Sequence, residues 1–287
     1  MTKIGISYAY WADSWDADVF PLIPRAAAIG FDIIEIGSGV VVAMNDDQRK
    51  QFRDLLDENN IEAALCIGLP AEMDIASPDA AIRQAGIDEL KQTAEVMEAT
   101  GVKTLGGVIF GQWLGSLPED ADSREPFVDR SVESLTKVME FVGQCDVTFC
   151  VEPVNRFESY VINTAAEAVE YVKQIGAPNL KILLDTFHMN IEEDSIRESI
   201  LTCGDLLHHL HLGEPNRRAP GRGRFPWDEF CGALKEIDYK GTMSMEPFLQ
   251  TAGQVGRMIG VFRDLTDGMD LDEEAGRALA FMREKTK

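Results

Sequence analysis

Positive charge is what this chain has least of. Its 27 lysines and arginines face 49 aspartates and glutamates, a formal charge of −22 at pH 7. A surface that acidic repels phosphate backbones, so nucleic acid is not an expected partner. Histidine is scarcer still, with four in 287 residues. The five cysteines, Cys66, Cys145, Cys150, Cys203 and Cys231, are odd in number and nowhere spaced C-x-x-C. That argues against a disulfide framework and against a zinc knuckle, and most of them read as small buried hydrophobes. No apolar run approaches the roughly 20 residues that cross a bilayer. The opening stretch MTKIGISYAYWADSW carries Asp13 early and lacks the basic-then-apolar order of an export signal. The expectation is a cytoplasmic protein with no membrane partner. Linkers and low-complexity tracts are missing too, so residues 1–287 read as one catalytic domain.

What the chain does have is rhythm. Eight short, mostly apolar runs recur from end to end: KIGISYA, FDIIEIG, IEAALCIG, VKTLGGVIF, VTFCVEP, LKILLDT, LLHHLHL and GTMSMEP. Between them lie helical segments such as 46–59, 78–100, 124–145, 164–175 and 226–237, with Gly30, Asn60, Gly101 and Gly176 where C-caps are expected. Apolar strands alternating with helices imply parallel strands covered by helices. Eight such units predict a closed (β/α)8 TIM barrel, with the tail from Leu271 to Lys287 as an extra C-terminal helix. The rival, an open doubly wound sheet, should carry a phosphate-binding glycine turn after its first strand, and SYAYWADSW has none. Gly37-Ser38-Gly39 is an incomplete fingerprint and reads as a turn.

Chemistry in such barrels sits at the C-terminal ends of the strands. Strand five runs into Glu152, strand six ends at Asp185, strand seven at His211, and strand eight runs into Glu246. One buried acid is ordinarily structural. Four ligand-capable groups in phase on neighbouring strands point instead to a divalent cation, which relieves the repulsion of three packed carboxylates. Three oxygens and one imidazole suit Mn2+ or a similar ion better than thiolate-held zinc, and Mg2+ or Co2+ also fit. By strand alternation His209 and His211 share a face and His208 points away; His208 and His209 read as buried hydrogen-bonding residues. The four tryptophans, Trp11, Trp15, Trp113 and Trp227, all follow strand ends. They are either core packing or a flat apolar wall for a sugar, with Trp15 and Trp113 the better placed for the second role. The loop GEPNRRAPGRGRFPW holds Arg217, Arg218, Arg222 and Arg224. They could bind a phosphate or pair with surrounding acids; Arg217 is the one closest to the end of strand seven.

The stretches VEPVNRFESYVINT, LLDTFHMNIEED, HLGEPNRRAPGRGRFPW and MEPF, extended by GISYAYW and GGVIFGQW, resemble the ketose 3-epimerases, the D-tagatose 3-epimerase and D-psicose (D-allulose) 3-epimerase group of xylose-isomerase-like barrels. The resemblance runs from Lys3 into the C-terminal helix. It implies one divalent metal per subunit, usually Mn2+ with Co2+ or Mg2+ tolerated, held by Glu152, Asp185, His211 and Glu246. It implies Glu152 and Glu246 as the acid/base pair, and Glu158, His188 and Arg217 as the groups that hold a ketose near C1 to C3. Trp15, Trp113, Gly107 and Ser7 complete the expected substrate pocket, and a homodimer or homotetramer is the expected assembly. The sequence departs from the family at Ser7, where an aromatic is common, at Pro153 and Pro215, and in CIGLPAEMD; Ser7 and that last loop bear on which ketose is preferred.

The implied reaction is epimerisation at C3 of a free ketose, of the D-psicose/D-fructose, D-tagatose/D-sorbose or L-ribulose/L-xylulose type. One carboxylate removes a proton beside the C2 carbonyl, and the other returns it to the opposite face of a metal-stabilised cis-enediolate. Glu158 orients substrate or, alternatively, pairs with Arg156. An aldose–ketose isomerase or an epimerase of a phosphorylated ketose is the alternative on the same barrel. A DNA-repair endonuclease of similar fold fits poorly with so acidic a chain, and a non-catalytic sugar-binding protein leaves the acid pair unexplained.

Overall fold

The structure is a computed structural model that describes residues 2–287. Eight strands, β1 (Ile4–Ser7), β2 (Ile33–Gly37), β3 (Glu62–Leu69), β4 (Thr104–Gln112), β5 (Thr148–Val151), β6 (Leu180–Asp185), β7 (Leu207–Leu212) and β8 (Thr242–Met245), pair in sequence order, all parallel. β8 returns to β1 through Ile4–Met243 and Ile6–Met245, which closes the barrel. All eight sequence-derived strands are present, and closure removes every sheet edge.

The helices are α1 (Leu22–Ile29), α2 (Ser38–Val42), α3 (Asp46–Glu58), α4 (Ala80–Thr100), α5 (Glu125–Val142), α6 (Ala165–Ile175), α7 (Thr186–Glu192), α8 (Ile196–Cys203), α9 (Trp227–Glu236), α10 (Gly253–Ile259) and α11 (Leu271–Lys285). Their ends follow local chemistry. Asn45 and Gln48 form a reciprocal capping box at α3, as Thr164 and Glu167 do at α6. Gly30, Gly101 and Gly176 are left-handed at the C-caps of α1, α4 and α6, and Asn60 follows α3 with φ 49°. One local reading is corrected: Gly37-Ser38-Gly39 is no turn, because Gly37 N-caps α2 and Ser38 and Gly39 open it. No helix among the described residues is long and apolar enough to cross a membrane.

Alternation inside the barrel sets up the site. On β6, Ile182 and Leu184 face the helices while Leu183 and Asp185 point inward; a Cβ on Gly106 of β4 would lie 2.4 Å from Leu183 Cδ1. On β7, His209 pairs in register with Leu183 and His211 with Asp185. The lumen therefore trades the usual branched aliphatic filling for a polar column above Leu183, with glycine and serine at Gly5, Gly106 and Ser244 leaving it room.

Gly107 is the tightest point of this wall. Its φ is +117°, and a Cβ there would lie 2.1 Å from the Ile67 carbonyl oxygen of β3. Its own carbonyl accepts the Glu152 N–H at 3.1 Å. A side chain would strain the backbone and push β3 away from β4 just below Glu152. Gly107→Ala is expected to lower unfolding free energy by about 2 kcal/mol or more, measured by denaturant titration. An unchanged midpoint would show that the close approach is dispensable.

Candidate active site

The groups expected at the four strand ends meet at the mouth of the barrel. Glu152, Asp185 and His211 are buried and offer ligand atoms within 4.8 Å of one another. His211 Nδ1 lies 3.2 Å from Glu152 Oε1 and 3.7 Å from Glu246 Oε2. Glu152 and Glu246 each lie one residue beyond their strands, with β6 and β7 between them, and both reach the same ring nitrogen, His211 Nδ1. Asp185 divides its oxygens: Oδ1 caps α7 by accepting the Phe187 N–H at 2.8 Å, and Oδ2 takes Arg217 NH1 at 3.1 Å. That cap explains the spacing in LLDTFH. One residue ends a strand and starts a helix, which returns His188 to within 3.6 Å of the same carboxylate.

Electrostatics here are strained. Burial and the nearby Asp185 and Glu152 hold the Glu246 carboxyl well above the ordinary range, against the pull of His211 and Arg217. Burial and Glu152 also raise Asp185, again opposed by Arg217 and His211. Burial works to lower His211, but Glu35, Glu152 and Glu246 together outweigh it and hold its proton well above the ordinary imidazole range. A donor set of three carboxylates and one imidazole nitrogen that cannot all ionise side by side is the environment that a divalent cation relieves. The residues present fit such an ion.

Around this cluster stand the expected substrate residues. His188 is buried, and its Nδ1 accepts the Asn155 backbone N–H at 3.2 Å. Its proton therefore sits on Nε2, on the Asp185 side. Burial, with Arg217 and His211 nearby, lowers its affinity for a second proton well below the ordinary value. The Asn155 side chain also donates to Glu158 Oε1 at 2.9 Å, and Trp113 Nε1 donates to Glu158 Oε2 at 2.9 Å. Glu158 is thus bracketed within the site; Arg156 pairs with Glu192 at 2.7 Å, so the Glu158–Arg156 alternative does not hold.

Arg217 has φ +60°, uncommon for a residue with a side chain. Its guanidinium stacks 3.7 Å from the Phe187 ring centroid and faces Asp185 and Glu246. The turn is held by Glu214, fully buried, whose oxygens accept the Gly221 and Phe225 N–H groups at 2.7 and 3.0 Å and the Trp227 indole at 2.8 Å. Two of the other arginines of that loop pair away from the site, Arg218 with Asp267 and Arg222 with Glu274 on α11, and Arg224 is exposed.

The tryptophans divide in the same way. Trp15 and Trp113 meet edge to face at 6.0 Å, and Trp15 meets Phe248 at 6.4 Å, forming one wall. Trp11 is held by Asp272 and stacked by Arg25, and Trp227 packs on Phe225, Phe230 and Phe281, so these two are framework. Ser7 ends β1, buried, with its hydroxyl capping Ala9 at 3.4 Å. Sequence reasoning missed Glu35, Asn155 and Glu214. Only Glu35 gave a signal, as an acid at the inward phase of FDIIEIG.

The xylose isomerase-like TIM barrel family model matches residues 23–285. The chain is 41% identical to the D-psicose 3-epimerase of Agrobacterium fabrum, over 98% of each chain. It is 42% identical to the D-psicose 3-epimerase of Ruminiclostridium cellulolyticum, over 98% of this chain and 97% of that one. A crystal structure of a D-psicose 3-epimerase determined in the presence of D-fructose superposes with a TM-score of 0.96 at 40% identity, covering 99% of both chains. The chain belongs to the xylose isomerase-like TIM barrel family and, within it, to the ketose 3-epimerases.

Proposed function

We propose that this protein epimerises free ketoses at C3, as a single metal-dependent catalytic domain. The observation that carries the reading is the convergence of Glu152 and Glu246, from non-adjacent strands, on Nδ1 of one buried imidazole, which brings two carboxylates into one site. Glu152, Asp185, His211 and Glu246 are the residues that would hold the cation, and Mn2+ is the ion proposed. When bound, such an ion supplies Lewis-acid stabilisation of negative charge, worth several kcal/mol.

The protein's own groups supply the rest. One of Glu152 and Glu246 takes the C3 proton, and the other, protonated, delivers one to the opposite face of the same carbon. Which acts first depends on the configuration at C3. His188 Nε2–H and the Arg217 guanidinium are donors for the C2 oxygen, where charge develops. Glu158, fixed by Asn155 and Trp113, accepts from a sugar hydroxyl. Trp15, Trp113 and Phe248 cover the sugar's C–H face and exclude water, with Ser7 and Gly107 in the expected wall. A phosphorylated ketose is the weaker reading, because Arg218 and Arg222 are spent on acids away from the mouth. A cytoplasmic location is part of the same proposal, checked by cell fractionation.

With Mn2+ and D-fructose in D2O, the protein is expected to yield D-psicose carrying deuterium at C3. Glu152→Gln and Glu246→Gln are each expected to cut kcat by at least about 100-fold while sugar binding persists. An aldose product would place the chemistry at C1 and C2 instead, and near-full activity in either variant would refute the two-carboxylate scheme.

Loading the metal-free protein near pH 7 is expected to release protons, because Glu246 and His211 both hold theirs above the ordinary range and must lose them to become ligands. Affinity for Mn2+ then falls as pH drops. Calorimetry in buffers of differing ionisation enthalpy reads the number released; zero protons would contradict this electrostatic picture.

A homodimer or homotetramer is also proposed. Phe157, on the loop after β5, and Phe262, between α10 and α11, are 77% and 83% exposed, an unusual cost for a monomer. Light scattering is expected to give a multiple of the 31.8 kDa chain mass, reduced by Phe157→Glu. A monomer at micromolar concentration would end the proposal.

A further inference from the structure

One buried acid has no part in the chemistry above. Glu35, the central residue of β2, is 2% exposed and lies inside the barrel beneath His211. Its Oε1 is 2.8 Å from His211 Nε2, and its Oε2 is 3.3 Å from His209 Nε2. His209 Nδ1 lies 2.6 Å from the Thr242 hydroxyl of β8. The chain Thr242–His209–Glu35–His211 therefore runs up the lumen and ends at the ligand cluster, tying β8, β7 and β2 together.

An imidazole can offer a lone pair from only one nitrogen while the other carries the proton. An ionised carboxylate only accepts, so Glu35 Oε1 holds the His211 proton on Nε2. Nδ1 is then left facing Glu152 and Glu246, at 3.2 and 3.7 Å. The second Glu35 oxygen is anchored by His209, so the carboxylate is itself unable to turn away. A packing role alone would be served at least as well by apolar side chains of similar volume.

We propose that Glu35 is a positioning residue: it fixes the Nε2–H tautomer and ring orientation of His211 so that Nδ1 is presented to a divalent cation. This rests on the metal-site reading given above. Outer partners of ligand histidines typically account for about 10- to 100-fold in metal affinity.

Mn2+ binding to the full-length protein, followed by electron paramagnetic resonance of the free ion, tests it. Glu35→Gln, shown folded by circular dichroism, is expected to bind Mn2+ at least about tenfold more weakly. Its kcat should recover as Mn2+ is raised, with KM for D-fructose within about twofold of wild type. Weakening of less than tenfold overturns the role of Glu35 and leaves the metal site standing. Failure of the wild type to bind Mn2+ overturns the metal site itself and this role with it. Should the variant not fold, histidine-selective 15N spectra of the Mg2+-loaded wild type decide. A proton on Nε2 of His211 supports the proposal, and a proton on Nδ1 overturns it.

Discussion

Carboxylates buried side by side are the constraint on which the rest of this structure depends. Glu35, Glu152, Asp185 and Glu246 lie in or at the top of one barrel lumen, with Glu158 at its edge, and Arg217 and the His211 ring are the cationic groups that face them. Taking such charges out of water is costly unless each is paired or protonated. The protein meets that cost in three ways at once: a helix cap on Asp185, a stacked guanidinium, and protons retained on Glu246 and His211. The same crowding of buried carboxylates around one imidazole is what a divalent cation would relieve.

Geometry of this kind needs rigid support, and the supports differ by element. Glu152, one residue past β5, is tied to the neighbouring strand by its N–H to the Gly107 carbonyl. Groups on loops need their own scaffolding. Arg217 sits in a left-handed backbone conformation that Glu214 secures with three accepted hydrogen bonds. Glu158 lies on the loop after β5 and His188 in the short helix α7, and Asn155 joins them by donating to both. Strain and buried acceptors are concentrated around the ligand-capable cluster at the barrel mouth.

Legibility in the sequence followed the range of the interaction. Strand ends, helix caps and the inward phase of Asp185 and His211 are set by neighbours a few residues away, and they could be read directly. All four tryptophans lay past strand ends, and the sequence favoured Trp15 and Trp113 for the wall while leaving both roles open to each. Packing decides it, with Trp15 against Trp113 and Trp227 buried against Phe225, Phe230 and Phe281. Among the four arginines of the β7–α9 loop, Arg217 stood out by its place just after strand seven, and the positions of Asp267 and Glu274 account for where Arg218 and Arg222 go.

By itself, then, the amino-acid order determined an eight-strand barrel, the four ligand-capable groups at consecutive strand ends, and kinship with the ketose 3-epimerases. These rest on periodicity and on motifs that are local in the chain. Tertiary structure alone decided that Glu35 and His211, 176 positions apart, share a hydrogen bond. It also decided that Asn155 rather than Arg156 holds Glu158, and that Gly107 has no room for a side chain. Each of those outcomes depends on which atoms closure of the barrel brings within about 3 Å, the range over which hydrogen bonds and steric exclusion act, and no spacing along the chain encodes that distance.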